Sequence, residues 1–246
     1  MQEKDLKTTT KQRVVIAIIA AALFFSTMAI YVLIVLNGSQ KSSDTQLDAQ
    51  ITELQAQLAK KKSELEEEEK ALSGKYLATL LKYKKSKVKA YNSAKVTAAG
   101  LKTKDLQEGE GEKLDTKNSY YAYYVGWCAD GSVFDSSFDS ADNPSKLKSP
   151  FEASYKSSVF AGWKEGVLGM KIGGVREIAM PGELGGGETQ EICGGKNKPL
   201  KFIVLAIKPE EKFIKLSQNY RLTSYQLQML YNKKRQQSAG AGATTP

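Results

Sequence analysis

Apolar and polar positions divide this chain into four textures, each tied to a different element. From Val14 to Leu36 apolar residues run without a charge. That is about the length a helix needs to cross ~30 Å of hydrocarbon, and longer than the roughly 7–15 apolar residues of a cleaved signal peptide. Residues 14–36 are therefore predicted to be a transmembrane helix, after a short N-terminal segment, 1–13. Beyond a polar linker, 37–44, Leu47, Ile51, Leu54, Leu58, Leu65 and Leu72 recur at heptad spacing, with Lys61 and Glu68 in the intervening seam positions. This pattern fits either a short parallel coiled coil of two chains or one helix with a single apolar stripe. Lys75 to Ala94 continues in helix-favouring sequence, so residues 37–95 read as a linker and helical stalk.

The third texture, 96–208, consists of short β-type runs separated by Gly, Asp and Pro, and it predicts the folded domain. Alternation over Ser119 to Trp127 places Tyr120, Ala122 and Tyr124 on one face and Tyr121, Tyr123 and Val125 on the other. Asp130-Gly131 suits a type I′ turn, with both central residues at positive φ, and returns the chain through Ser132-Val133-Phe134. Val175 to Met180 and Lys201 to Ile207 read as further strands, the first stopped by Pro181-Gly182. Trp163, Val167 and Met170 recur at helical spacing, and Gly173-Gly174 ends that helix. The glycines 185–187 read as a flexible loop. Finally, 209–237 predicts a C-terminal amphipathic helix, with Phe213, Leu216, Tyr220, Leu227 and Leu230 on one stripe, that packs on the domain or on a partner. The small residues of 238–246 predict a disordered tail.

Composition narrows the chemistry. The 246 residues include no histidine, which removes His-based triads, His-ligated zinc and the usual near-neutral base. The two cysteines, Cys128 and Cys193, are either one disulfide or two free thiols. The net charge of +9 is concentrated in lysines of 60–95 interleaved with Glu64 to Glu69, which reads as a solvated helical surface and implies no nucleic-acid partner. Lys4, Lys7, Lys11 and Arg13 precede the apolar run and Lys41 alone follows it closely. The positive-inside rule then keeps the N-terminus cytoplasmic and places the domain outside. Within that domain, aromatic residues between Tyr123 and Trp163 are spaced so that strand, turn, strand and helix aim them into one apolar cup.

Residues 101–207 resemble the FKBP-type peptidyl-prolyl cis-trans isomerases. The resemblance rests on Glu108-Gly109-Glu110-Gly111, Tyr124-Val125-Gly126, Asp130-Gly131, Phe134-Asp135-Ser136-Ser137, Val159-Phe160-Ala161-Gly162-Trp163, Glu165-Gly166, Gly169-Met170 and the closing Pro199-Leu200-Lys201-Phe202. It implies an α+β fold, a twisted antiparallel sheet wrapped around one short helix. By the same resemblance Trp163 is the floor of a proline pocket, and Tyr124, Phe151, Val159 and Phe202 are its walls. Phe134 and Asp135 stand at one side, and Phe160 offers its backbone N–H to a substrate carbonyl. Two departures stand out: Gly186 occupies the position of a family tyrosine, and the loop 188–198 differs from the common one. No cofactor or metal is implied.

The reading that results is a single-pass protein of the cell membrane whose extracytoplasmic domain isomerises X-Pro bonds in proline-containing polypeptides, assisting their folding. Its stalk offers a route to a homodimer. Two other readings use the same residues: a binding module that grips proline segments without turnover, and a structural protein assembled through its helices.

Overall fold

Strand β8 (Leu200–Ile207) is the centre of the sheet because its sequence offers apolar side chains to both faces, so both must be covered. In the computed structural model, which describes residues 40–241, β8 pairs antiparallel with β2 (Tyr120–Trp127) and with β5 (Val175–Met180). Strands β3 (Val133–Ser136) and β4 (Phe151–Ala153) pair with β2, and β1 (Lys102–Gln107) pairs with β5 at the other edge. The helices are α1 (Gln40–Lys87), α2 (Ser93–Ala99), α3 (Ala161–Gly166) and α4 (Glu211–Ala241). A two-stranded hairpin, β6 (Glu191–Ile192) and β7 (Gly195–Lys196), follows β5. The fold is α+β, an antiparallel sheet with a short helix on one face.

Two hydrophobic cores flank the sheet, and the period-2 alternation of β2 and β8 decides which residues join which. Tyr120, Ala122, Phe202, Val204 and Ala206 pack with Trp163, Val167 and Ile178 on the α3 face. Tyr121, Tyr123, Val125, Trp127, Ile203, Leu205 and Ile207 pack on the opposite face with Leu72, Leu80 and Tyr83 of α1 and Phe213 of α4. The second half of α1 is therefore not a free stalk but one wall of the domain core. One compact unit spans Ala59–Leu222, wider than the 96–208 read from sequence. In the other unit, residues 40–58 and 223–241, Leu47 and Ile51 are buried, Gln55 donates to the Tyr231 hydroxyl, and Lys234 pairs with Asp48. Of the heptad stripe, Leu47, Ile51 and Leu72 are buried and Leu54, Leu58 and Leu65 half-buried.

Several expectations are corrected. The linker 37–44 is helical from Gln40, and the tail expected over 238–246 continues α4 to Ala241. The helix expected over 75–94 breaks at Val88, because Tyr91 donates its N–H to Ala129 O and Lys89 O accepts from the Trp127 indole. Asn92 then caps α2 through Lys95 N–H. The Asp130-Gly131 turn is not type I′, since only Gly131 has positive φ (91°). Gly131 N–H bonds Cys128 O and Cys128 N–H bonds Ser132 O, which is a three-residue loop ending in a glycine bulge. Helix α3 stops at Gly166, with Val167 and Met170 in the turns that follow. Residues 185–198, read as loop, hold a 3₁₀ turn at Gly187–Thr189 and the β6–β7 hairpin. The apolar run 14–36 lies outside the described residues, and among those no helix is long and apolar enough to cross a membrane.

Edge strand β1 is held by charge as well as by its ladder. Arg176, buried, gives Nε and a terminal nitrogen to the Asp105 carboxylate at 2.6 and 3.0 Å and caps the carbonyls of Gly166 and Leu168. That hydrogen bonding holds the Asp105 carboxyl below its usual range. A depressed native value stabilises the fold above about pH 4 and is lost as pH falls through it. Thermal melts of Asp105→Asn are expected to lie below wild type near neutrality and to lose part of the decline below about pH 5; parallel curves would overturn this.

Candidate functional site

The cup forms where α3 meets the sheet. Phe160 precedes α3 in an extended conformation (ψ 142°) and turns the chain so that the helix's first turn carries Trp163 down onto the sheet. Gly162 is required there, since a Cβ at that position would lie 2.7 Å from Met180 Sδ. The indole is almost fully buried, and its Nε1 donates to the Tyr120 hydroxyl at 2.8 Å. Rings stand on edge around it: Phe202 at 5.1 Å and 81°, Tyr124 at 5.2 Å and 89°, Phe151 at 6.4 Å and 87°. Edge-to-face packing of this kind holds the rings in fixed orientations. Above them opens a cavity of about 600 Å³, whose lining includes Tyr124, Asp135, Phe151, Val159, Phe160, Trp163 and Phe202.

Seven of the eight pocket residues expected from sequence thus meet in one hollow. Phe134 does not line it. Its ring lies behind Phe202, 5.4 Å away at 87°, and Gly126 lets the two approach, because a Cβ there would lie 2.7 Å from both rings. Phe134 therefore buttresses a wall instead of forming one. Asp135 is at the rim and accepts the Tyr124 hydroxyl at 2.7 Å. Tyr124 is fixed further by exchanging bonds with Ser137, its N–H to Ser137 Oγ and its carbonyl to Ser137 N–H, each 2.9 Å. The Phe160 N–H meets no acceptor among the described residues.

Gly186 lies on the rim with φ 115°, a conformation that disfavours any side chain, and Gln190 occupies the adjoining space: a Cβ on Gly186 would lie 3.1 Å from Gln190 Cβ. Gln190 and Glu183 are rim residues that sequence reasoning missed, since both lie in the segment that departs from the family pattern. Tyr120 was placed on the correct face, but its bond to the indole was missed. A tyrosine on the indole's side of β2 was the available signal. Burial pushes the Tyr120 hydroxyl up to about 12, and burial followed by the bond to Asp135 raises that of Tyr124. Both are neutral hydroxyls at physiological pH. The second half of the rim is tied down by a disulfide, Cys128–Cys193, which joins the end of β2 to the β6–β7 turn. Among the described residues no cluster of His, Cys, Asp and Glu is arranged to hold a metal ion.

An aromatic hollow with fixed hydroxyls, one unused N–H and the carboxylates of Asp135 and Glu183 at its rim can bind and reshape a small apolar ring. A family model for FKBP-type peptidyl-prolyl cis-trans isomerase matches residues 111–207. An FK506-binding protein of Neisseria meningitidis serogroup B is 37% identical over 89 residues, covering 36% of this chain and 75% of that protein. An FK506-binding protein of Streptomyces anulatus is 34% identical over 102 residues, 41% of this chain and 77% of that one. The peptidyl-prolyl cis-trans isomerase Mip of Coxiella burnetii is 36% identical over 120 residues, 48% of each.

Proposed function

We propose, for a chain that belongs to the FKBP-type peptidyl-prolyl cis-trans isomerase family, that the cup twists X-Pro bonds of polypeptides outside the membrane to which the N-terminal run 14–36 anchors it. The observation that carries this reading is the floor of the cup: a buried indole, fixed by Tyr120 and ringed by perpendicular aromatics, beneath an open hollow of about 600 Å³.

Rotation about X-Pro is opposed by amide resonance worth about 18–20 kcal/mol, and the unassisted exchange takes tens to hundreds of seconds. No bond breaks. The planar imide carries a larger charge-separated dipole than the twisted transition state, so moving it from water into aromatic surroundings favours the twisted form. The proline ring rests on Trp163 while the Phe160 N–H holds a carbonyl, and binding energy is directed to the rotated geometry. Gln190 stands beside Gly186, so an amide faces the rim where the family tyrosine's hydroxyl is missing. The Cys128–Cys193 disulfide supports the extracytoplasmic placement, because such bonds persist chiefly in oxidising compartments.

The test is isomerisation of a proline peptide by the full-length chain in detergent micelles. Acceleration over the uncatalysed rate is expected, with kcat/KM lowered at least tenfold in Trp163→Leu. No acceleration together with measurable peptide binding would replace catalysis by simple proline binding.

A further inference from the structure

Gln190 lines the cup, and we propose that its carboxamide donates a hydrogen bond to a main-chain carbonyl of the bound polypeptide, a different carbonyl from the one at the Phe160 N–H. The inference rests on the isomerase reading above. Side-chain donors are scarce in this hollow. The Trp163 indole donates to Tyr120 and the Tyr124 hydroxyl to Asp135, so both are committed within the protein. The carboxylates of Asp135 and Glu183 only accept. The Ser158 hydroxyl lies on the segment that already supplies the Phe160 N–H. Gln190 comes from a separate segment, between β5 and β6, and its side chain forms no hydrogen bond among the described residues.

The backbone that carries Gln190 is held on both sides. Before it, Thr189 closes a 3₁₀ turn onto the Gly186 carbonyl, through its N–H at 3.2 Å and its hydroxyl at 2.7 Å, and the Asn197 N–H reaches the Gly187 carbonyl at 2.8 Å. After it, β6 begins at Glu191, and Cys193 is bonded covalently to Cys128. Gln190 itself is extended, with φ -127° and ψ 136°. Its side chain folds over Gly186: Cδ and Oε1 lie 3.5 and 3.4 Å from where a Cβ on Gly186 would stand. Gly186 has φ 115°, which L side chains rarely adopt, so that space falls to Gln190 and not to a side chain at 186. A donor whose backbone is fixed before the substrate arrives loses less freedom on binding than a mobile one. The contact reads a main-chain carbonyl and no side chain. It therefore adds affinity without narrowing the sequences that the cup accepts.

The experiment measures isomerisation of a proline tetrapeptide by exchange NMR with the full-length chain in micelles, comparing wild type, Gln190→Leu and Gln190→Glu. Near neutral pH both variants are expected to show a KM raised about fivefold, the scale of one neutral hydrogen bond, with kcat within twofold of wild type. Melting temperatures are expected to stay at the wild-type value, because the side chain has no partner to lose. On acidification to about pH 4, Gln190→Glu is expected to recover part of its loss relative to wild type, since a protonated carboxyl donates, while Gln190→Leu stays impaired. A side chain that only fills space over Gly186 would show no such recovery. KM within twofold of wild type in Gln190→Leu, equal impairment of the two variants at every pH, or a raised KM accompanied by a lower melting temperature overturns the proposal. If wild type turns over no peptide, the isomerase reading fails, and the peptide's Kd across the same variants and pH values decides the contact.

Discussion

A fragment cut to residues 96–208 is expected to lose cooperative folding. It retains every strand and the whole cup, but it lacks the parts of α1 and α4 that cover the second face of the sheet. Leu72, Leu80, Tyr83 and Phe213 leave the core, all of them at most 8% exposed in the native chain. At roughly 1.5–3 kcal/mol for each large apolar side chain, the four account for about 6–12 kcal/mol. That is comparable to the whole net stability of a domain, about 5–15 kcal/mol. The face they leave behind, with Tyr121, Tyr123, Val125, Trp127, Ile203, Leu205 and Ile207, becomes a contiguous apolar surface that favours aggregation. Buried bonds go too: Leu147 N–H loses Ser73 Oγ, Pro199 O loses the Tyr91 hydroxyl, and the Trp127 indole loses Lys89 O. Thermal melts followed by near-ultraviolet circular dichroism, with light scattering, distinguish the outcomes. Residues 59–222 are expected to melt cooperatively near the full-length value, and residues 96–208 to show no transition and to scatter. A cooperative melt of the short fragment near wild type would mean that the helices decorate the sheet without stabilising it.

This result also marks how far the sequence could be read. Alternation in β2 assigns Tyr120, Ala122 and Tyr124 to one face and Tyr121, Tyr123 and Val125 to the other, and the chain folds that way because period 2 leaves no other choice once one face is buried. What covered the second face was not legible, although a signal existed. Neither β2 nor β8 has a polar-out alternation, which means that both of their faces lie against something. The heptad stripe of α1 suggested a second chain or a free stalk; its C-terminal part instead meets the sheet, a contact at long sequence separation that local periodicity does not encode. Strand β1, Lys102-Thr103-Lys104-Asp105-Leu106-Gln107, escaped notice because it is mostly exposed and polar, and its place depends on Arg176. The Asp130-Gly131 turn was misread because a dipeptide does not fix loop length: ladder bonds at Cys128 and Ser132 set three loop residues instead of two. In the cup, residues on regular elements were legible and those on the rim were not. Trp163, Tyr124 and Phe202 are placed by helix and strand geometry, whereas Gln190 sits in a segment shaped by glycines at positive φ and by a covalent bond.

That covalent bond carries the second large effect: replacing both cysteines, as Cys128→Ser with Cys193→Ser, is expected to lower the stability of the domain by about 4 kcal/mol. The two residues are 65 positions apart. In the chain-entropy account, a bridge closing a loop of that size restricts the unfolded chain by about that amount. For a unit of this length the melting temperature should fall by roughly 8 to 16 °C. The native state contributes in a different way. Cys193 is held at φ 59°, in the left-handed region that non-glycine residues seldom occupy, between β6 and β7. The bridge thus keeps a disfavoured turn in place, and that turn anchors the segment from Pro181 to Ile192 that supplies Glu183, Leu184, Gly186 and Gln190 to the cup. Freed of it, the rim should become mobile while Trp163, Tyr124 and Phe202, set by α3 and the sheet, stay in place. The expected signature is a large loss of stability with a smaller loss of activity, a severalfold rise in KM for proline peptides with kcat changed less. Chemical reduction of the wild-type chain should give the same pair of effects, since it removes the bond without altering any residue. An unchanged melting temperature after reduction, with two titratable thiols present, would mean that hydrogen bonds alone hold the rim and that the bridge adds nothing to the cup.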